Sequence, residues 1–276
     1  MTVNSHLREL ADAAVIRNAE KQSISRSIHT LQQRLEYYFG NELSKHFIFG
    51  SYTRGTILPR AMDGNSDIDY MVVFEGSNYK PQTYLDKLRR FVEYYYSSSE
   101  ITQSNPTIVL TLNHIKFELV PAITDWFHGL QIPAKRADLN DWIDTDPNDI
   151  NRDLSNANQS NNSLIKPMIR LVKYWNAINN YPFNSFELEK ELAERSYIWV
   201  SLLTSAQLKD YFFDAVESLS LGWGAAQYKK TALDRAKTIV RQAKSNSQDG
   251  YEALALSQIK ELLPEVTTAK GALWGL

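Results

Sequence analysis

Two aspartates stand at the mouth of an otherwise apolar run, Asp67-Ile68-Asp69-Tyr70-Met71-Val72-Val73-Phe74. Its β-branched and aromatic content reads as a strand. Alternate strand side chains leave opposite faces, so Asp67 and Asp69 share one face. Carboxylates so close repel one another in the absence of cations. Upstream, His46-Phe47-Ile48-Phe49 is a short apolar strand that ends in Gly50-Ser51. A turn from strand to helix aims backbone N–H groups and a serine hydroxyl at one spot, which suits a phosphate. Gly50 lets backbone approach a ligand closely. Fifteen residues separate Ser51 from Asp67. A third acid, Glu118, lies within Ile115-Lys116-Phe117-Glu118-Leu119-Val120-Pro121, a strand that carries Phe117 and Leu119 on one side and Glu118 on the other. An acid inside so apolar a strand is costly unless it is paired or metal-bound. Mg²⁺ favours oxygen ligands, taking one or two protein carboxylates together with substrate phosphates. Two-metal phosphoryl transfer calls for a further carboxylate. Together these features point to a metal site at Asp67, Asp69 and Glu118.

The rest of the chain fills in around that site. Leu7, Leu10, Ala14 and Ile16, continued by Ile24, Ile28, Leu31, Leu35 and Tyr38, predict one long helix from about 5 to 41. The stretch Pro59 to Ser66 reads as a loop, and about 80 to 98 as a helix. Thr107 to Leu112 and Ile115 to Ala122 read as strands joined by a tight Asn113-His114 turn. Composition changes after about Lys135. Asp138 to Asn162 is rich in Asp and Asn, and from Ser163 the patterns are helical. The predicted division is residues 1–150, a strand-containing lobe, and 151–276, a helical lobe. The first helix braces both, and a cleft between lobes is a common ligand site.

A net charge of −2 gives no global field for nucleic acid or anionic membrane. The absence of cysteine excludes disulfides, Cys-ligated zinc, thiol catalysis and iron–sulfur clusters, and fits a reducing compartment. MTVNSHLREL has no apolar signal core, and no apolar run of about 18 residues is present. The expectation is a cytoplasmic protein without a membrane partner.

In GSYTRGT, SDIDYMVVF, FELVPA, IKPMIRLVKYWN and NSFELE, the chain resembles the polymerase-beta-like nucleotidyltransferases. Within these it is most similar to the bacterial relatives of cyclic GMP-AMP synthase and oligoadenylate synthase. The resemblance covers most of the chain. It implies an α+β fold: a bilobed nucleotidyltransferase with a mixed sheet in the amino-terminal lobe and a helical carboxy-terminal lobe. It implies joining of ribonucleoside triphosphates into a cyclic di- or trinucleotide, with release of pyrophosphate. A downstream effector would read that product in anti-phage defence. The alternative is the same chemistry giving linear oligonucleotides, or transfer of a nucleotide to RNA or protein.

By the same resemblance, Asp67, Asp69 and Glu118 bind two Mg²⁺ or Mn²⁺ ions. The family's third acid is usually aspartate, so Glu118 is a departure. Gly50 and Ser51 grip the donor triphosphate, Lys173 touches phosphate, Ser185 bonds the triphosphate and Phe186 stacks on a base. Leu164, Met168, Leu171 and Trp175 form one face of a helix from which Lys166, Arg170 and Lys173 point away. Asn184 or Ser185 also fits a plain N-cap, with Phe186 in the core. Asn161 and Asn162 are candidates for choosing bases. The animal relative that senses double-stranded DNA carries a zinc module; without cysteine, a Cys-containing module of that kind has no ligands here, so zinc-dependent DNA sensing is not expected. Lys230, Lys237, Arg241 and Lys244 share a helix side that reads as a solvated edge or a contact for phosphates or a partner. Tyr94, Tyr95 and Tyr96 read as packing, and the apolar end Gly271–Leu276 as a segment that docks on the body or a partner.

Overall fold

The computed structural model describes residues 1–76, 79–104, 106–125, 129–134, 141–203 and 205–266. Lys135, Asp138 to Asn140 and the apolar end Gly271–Leu276 lie outside the described residues. The chain forms two compact units: residues 16–60 with 65–149, and residues 1–15 with 61–64 and 150–276. No helix among the described residues is long and apolar enough to cross a membrane.

The amino-terminal helix of the sequence reading is two helices, α1 (Val3–Ala13) and α2 (Asn18–Phe39). They belong to different units. α1 buries Val3, His6, Leu7, Leu10 and Ala11 in the helical unit. α2 buries Ile24, Ile28, Leu31, Leu35 and Phe39 against the sheet. Leu10 and Ile24 fall within about 40° of each other on an ideal helix of 3.6 residues per turn. The two apolar stripes are therefore nearly in phase, and periodicity alone joins them.

The sheet unit continues with β1 (Leu43–Phe49), the short helix α3 (Gly50–Arg54), β2 (Asp67–Phe74) and α4 (Pro81–Tyr95). β3 (Glu100–Ser104), β4 (Thr107–Thr111), β5 (Lys116–Thr124), β6 (Leu130–Pro133) and β7 (Trp142–Thr145) complete it. The strand order is β1-β2-β5-β4-β3, with β6 pairing both β5 and β7. β2 and β5 are parallel; the other pairs are antiparallel, giving a mixed sheet. The Asn113-His114 turn is closed by the Leu112 N–H donating to the Ile115 carbonyl at 2.8 Å.

Period-2 alternation divides β2 between two faces. Ile68, Tyr70, Val72 and Phe74 enter the main core with α2 and α4. Met71 and Val73 join Val120 and Ala122 in a smaller cluster on the other face. Asp67 and Asp69 belong by parity to that second face, and so does Glu118 ahead of Val120.

The helical unit holds α1 together with α5 (Asp149–Ser160), α6 (Ile165–Ile178), α7 (Ser185–Glu194), α8 (Ile198–Ser201), α9 (Leu208–Ser218), α10 (Gln227–Gln248) and α11 (Glu252–Leu262). Trp175, Tyr211 and Phe212 are among its largest fully buried side chains. His6 Nε2 lies 3.1 Å from the Leu263 carbonyl, and Tyr174 donates to the Pro264 carbonyl at 3.1 Å. The Val3 N–H donates to Glu252 at 2.7 Å. First and last helices are thus fastened within one unit.

Candidate active site

β2 and β5 run parallel with Asp69 opposite Glu118 and Asp67 opposite Lys116. Asp69 and Glu118 therefore stand level on adjacent strands, with Asp67 two residues earlier on the same face. All three are half-buried. Burial pushes the Glu118 carboxyl up to about 7, and the charges of Asp67 and Asp69 and a hydrogen bond with Asp67 add to the rise; the nearby Lys116 opposes it. Near neutral pH Glu118 thus tends to keep a proton, and the carboxyl–carboxyl hydrogen bond requires one. Lys116 in turn donates to Asn65 at 2.9 Å, tying β5 to the loop before β2.

Among the described residues, no three acidic or imidazole groups are arranged so as to hold a metal ion. The chemistry of the donor set nonetheless fits a hard divalent cation: oxygen only, crowded, and holding a proton that a cation would displace.

Gly50 has a second role that the sequence did not disclose. β1 pairs β2 with Phe49 opposite Asp69, so the backbone turns away from β1 directly beside that carboxylate. A Cβ on Gly50 would lie 1.8 Å from Asp69 Oδ2, and its φ is +74°. The close approach is to a metal-ligand candidate as well as to any phosphate. α3 then carries Ser51, whose carbonyl accepts from the Thr56 and Ile57 N–H groups at 3.0 and 3.1 Å. This brings Gly50, Ser51, Asp67, Asp69 and Glu118 together within the sheet unit.

Lys173, Ser185 and Phe186 lie in the helical unit. The sequence reading put Lys166, Arg170 and Lys173 on a face of α6 away from the core. Arg170 and Lys173 are covered instead. Arg170 is buried and donates to the Ala11 carbonyl of α1 at 3.4 Å. Lys173 is buried with Glu189 of α7, Nζ to Oε2 3.5 Å. The sequence offered no sign of Glu189, because which helix covers α6 is a tertiary fact.

Asn184 is the N-cap of α7, its Oδ1 accepting from the Phe186 and Glu187 N–H groups at 2.9 and 3.2 Å. Ser185 begins the helix, half-buried, and Phe186 is 48% exposed rather than core. Asn161 is spent inside the unit: it donates to the Ala157 carbonyl at 2.7 Å and accepts from Tyr211 at 3.2 Å. Asn162 has a positive φ of 53°. On the later basic helix, Lys244 and Arg241 lie 3.3 and 3.6 Å from Glu217, and Lys230 donates to the Trp223 carbonyl.

A mixed sheet with two aspartates on one strand and a third acid on its parallel neighbour, beside a glycine–serine turn, defines a polymerase-beta-like nucleotidyltransferase. Residues 1–158 match the model of the Second Messenger Oligonucleotide or Dinucleotide Synthetase domain. The chain belongs to that family and is a nucleotidyltransferase of the cyclic-oligonucleotide synthase type. No curated protein sequence matches it.

Among solved structures, it is similar to the Vibrio cholerae cyclic AMP-GMP synthase DncV in complex with a linear intermediate. There the TM-score is 0.70 at 11% identity, covering 94% of each chain. CdnG of Bradyrhizobium diazoefficiens in complex with GTP gives a TM-score of 0.67 at 11% identity, covering 94% of this chain and 98% of that one. CdnC of E. coli MS115-1 with ATP gives 0.66 at 14% identity, over 95% and 98%. At these identities the likeness is one of fold.

Proposed function

We propose that the protein joins ribonucleoside triphosphates into a cyclic di- or trinucleotide, releasing pyrophosphate, and that the product signals to a downstream effector in defence against phage. The observation that carries the chemistry is the pairing of Asp69 with Glu118, with Asp67 hydrogen-bonded to the latter. Ring closure is supported by membership of the synthetase family and by the likeness to DncV.

Asp67, Asp69 and Glu118 would hold two Mg²⁺ or Mn²⁺ ions. When bound, these ions would supply Lewis acidity to the attacking hydroxyl and the departing pyrophosphate. Gly50 and Ser51 would orient the donor triphosphate through backbone N–H groups and the Ser51 hydroxyl. Ser185 and Lys173 would bind phosphate, and the exposed Phe186 ring would stack on a base. The Glu118 carboxylate would accept the proton of the attacking ribose hydroxyl. A second attack within the linear intermediate would close the ring.

The test is incubation with all four nucleotides and Mg²⁺ or Mn²⁺, then phosphatase treatment and mass spectrometry. A phosphatase-resistant ring that Asp67→Asn abolishes is the expected result. Phosphatase-sensitive chains, or labelled RNA or protein, would replace the cyclic product with the linear or macromolecular one. Retention of activity in Asp67→Asn would remove the site.

A further inference from the structure

Glu189 is a buried carboxylate that the chemistry above does not use. Its side chain is 1% exposed, and its partner Lys173 is 8% exposed. Stability is a poor account of such a pair, because well-packed apolar residues commonly replace buried ion pairs at no loss. The docking of α7 also has other anchors. Leu188 and Leu192 of α7 are buried at 1% and 0%. Asn176 of α6 clasps Phe183 just ahead of α7, donating to its carbonyl at 3.1 Å and accepting from its N–H at 3.0 Å.

The position of Glu189 is more telling. Ser185 and Glu189 are four residues apart on α7, hence on one face and about 6 Å apart along the axis. The ion pair therefore brings the Lys173 ammonium to the side of α7 that carries Ser185. Two N–H groups of that helix start are already taken by Asn184. A triphosphate arriving there would depend on the Ser185 hydroxyl and on a cation held close by. A lysine already fixed by an ion pair has given up its rotamer freedom before the nucleotide arrives.

We infer that Glu189 is a positioning residue for nucleotide recognition, holding the Lys173 ammonium at the Ser185 end of α7. It rests on the reading of Lys173 and Ser185 as triphosphate contacts. Removing the Glu189 charge leaves Lys173 buried without its counter-ion, and its side chain turns out toward water, away from Ser185.

The experiment uses the full chain and inorganic tripolyphosphate, a probe without a base, titrated calorimetrically without divalent metal. Glu189→Gln is expected to weaken binding about tenfold, with partial recovery in Glu189→Asp. Lys173→Met weakens it as well, and Lys173→Met/Glu189→Gln is no weaker than Lys173→Met alone. In turnover, Glu189→Gln raises the nucleotide KM about tenfold and changes kcat less than threefold. A purely structural role would lower the active fraction, and so kcat, with effects that multiply.

Binding by Glu189→Gln within twofold of the parent, or independent multiplication of the two substitutions, overturns the inference. Should Glu189→Gln fold poorly, Lys173→Met/Glu189→Met removes both charges of the pair together. Equality with Lys173→Met then supports the inference, and weaker binding overturns it. If Lys173→Met binds as tightly as the parent, the inference falls while nucleotide joining, read as pyrophosphate release, stands. If the parent releases no pyrophosphate but the binding pattern holds, the function fails and Glu189 keeps its role.

Discussion

Glu118 sits where burial and two like charges act in the same direction. Its carboxyl is raised from the ordinary 4.5 to about 7 in the folded chain. Between those values the native state holds a proton that the unfolded chain has released. Stability of the metal-free protein therefore falls as pH rises from about 4.5 through about 7. Glu118→Gln removes that slope, which thermal melts in chelator across this range will read. Metal affinity runs the other way, because a cation must displace the proton. It is expected to rise about tenfold per pH unit up to about 7 and then flatten; titration with Mn²⁺ at several pH values checks this.

Gly50 answers to two constraints at once. Gly50→Ala would put a methyl into the Asp69 carboxylate and a side chain at φ +74°. The expected cost is about 2 kcal/mol or more in stability, with activity down about a hundredfold. Melts and pyrophosphate release measure the two separately. That Asp67 and Asp69 share a face was legible from alternation alone, because strand parity is local. The nearness of Gly50 to Asp69 was not, since it depends on the Phe49–Asp69 register between β1 and β2.

At the scale of elements, α6 organises the helical unit through its polar face as much as its apolar one. Arg170 reaches α1, Lys173 reaches α7, and Asn176 holds the turn between α6 and α7. That turn contains Asn180 and Tyr181 at positive φ, and Tyr181 donates to Asp63 within the same unit. Asn176→Ala leaves the Phe183 N–H and carbonyl without their partner inside the protein. The expected loss is about 2–3 kcal/mol by denaturant unfolding, with hydrogen exchange quickening at residues 180–186. The sequence set Lys166, Arg170 and Lys173 apart from the apolar face without showing what covers them, because helical periodicity separates apolar from polar, not buried from exposed. The β3 strand, Glu100–Ser104, went unread for a related reason. It alternates exposed residues with half-buried ones, and its partner β4 defines it. β2 matched its predicted limits because its apolar content declares a buried strand without help from neighbours.

At the scale of the molecule, the chain interleaves its units rather than dividing once. Residues 1–15 belong with 150–276, while 16–60 and 65–149 form the other unit. In-phase apolar stripes hid the break between α1 and α2, so the sequence placed both in one lobe. The consequence is physical. A fragment of residues 150–276 lacks the helix whose Leu7, Leu10 and Ala11 are 0–3% exposed. It also lacks the imidazole that meets the Leu263 carbonyl. Three apolar side chains withheld from a core remove several kcal/mol, a large share of the stability of one domain. The fragment alone is expected to behave as a loosely packed helical state: far-ultraviolet circular dichroism retained, no cooperative melt, and a dye for exposed apolar surface bound. Adding a peptide of residues 1–15 should restore a cooperative melt whose midpoint rises with peptide concentration. A sharp melt without the peptide, or no response to it, would show that α1 is dispensable to the helical unit. The chain would then divide cleanly at about residue 150, with His6 and Leu10 merely resting on a core that stands without them.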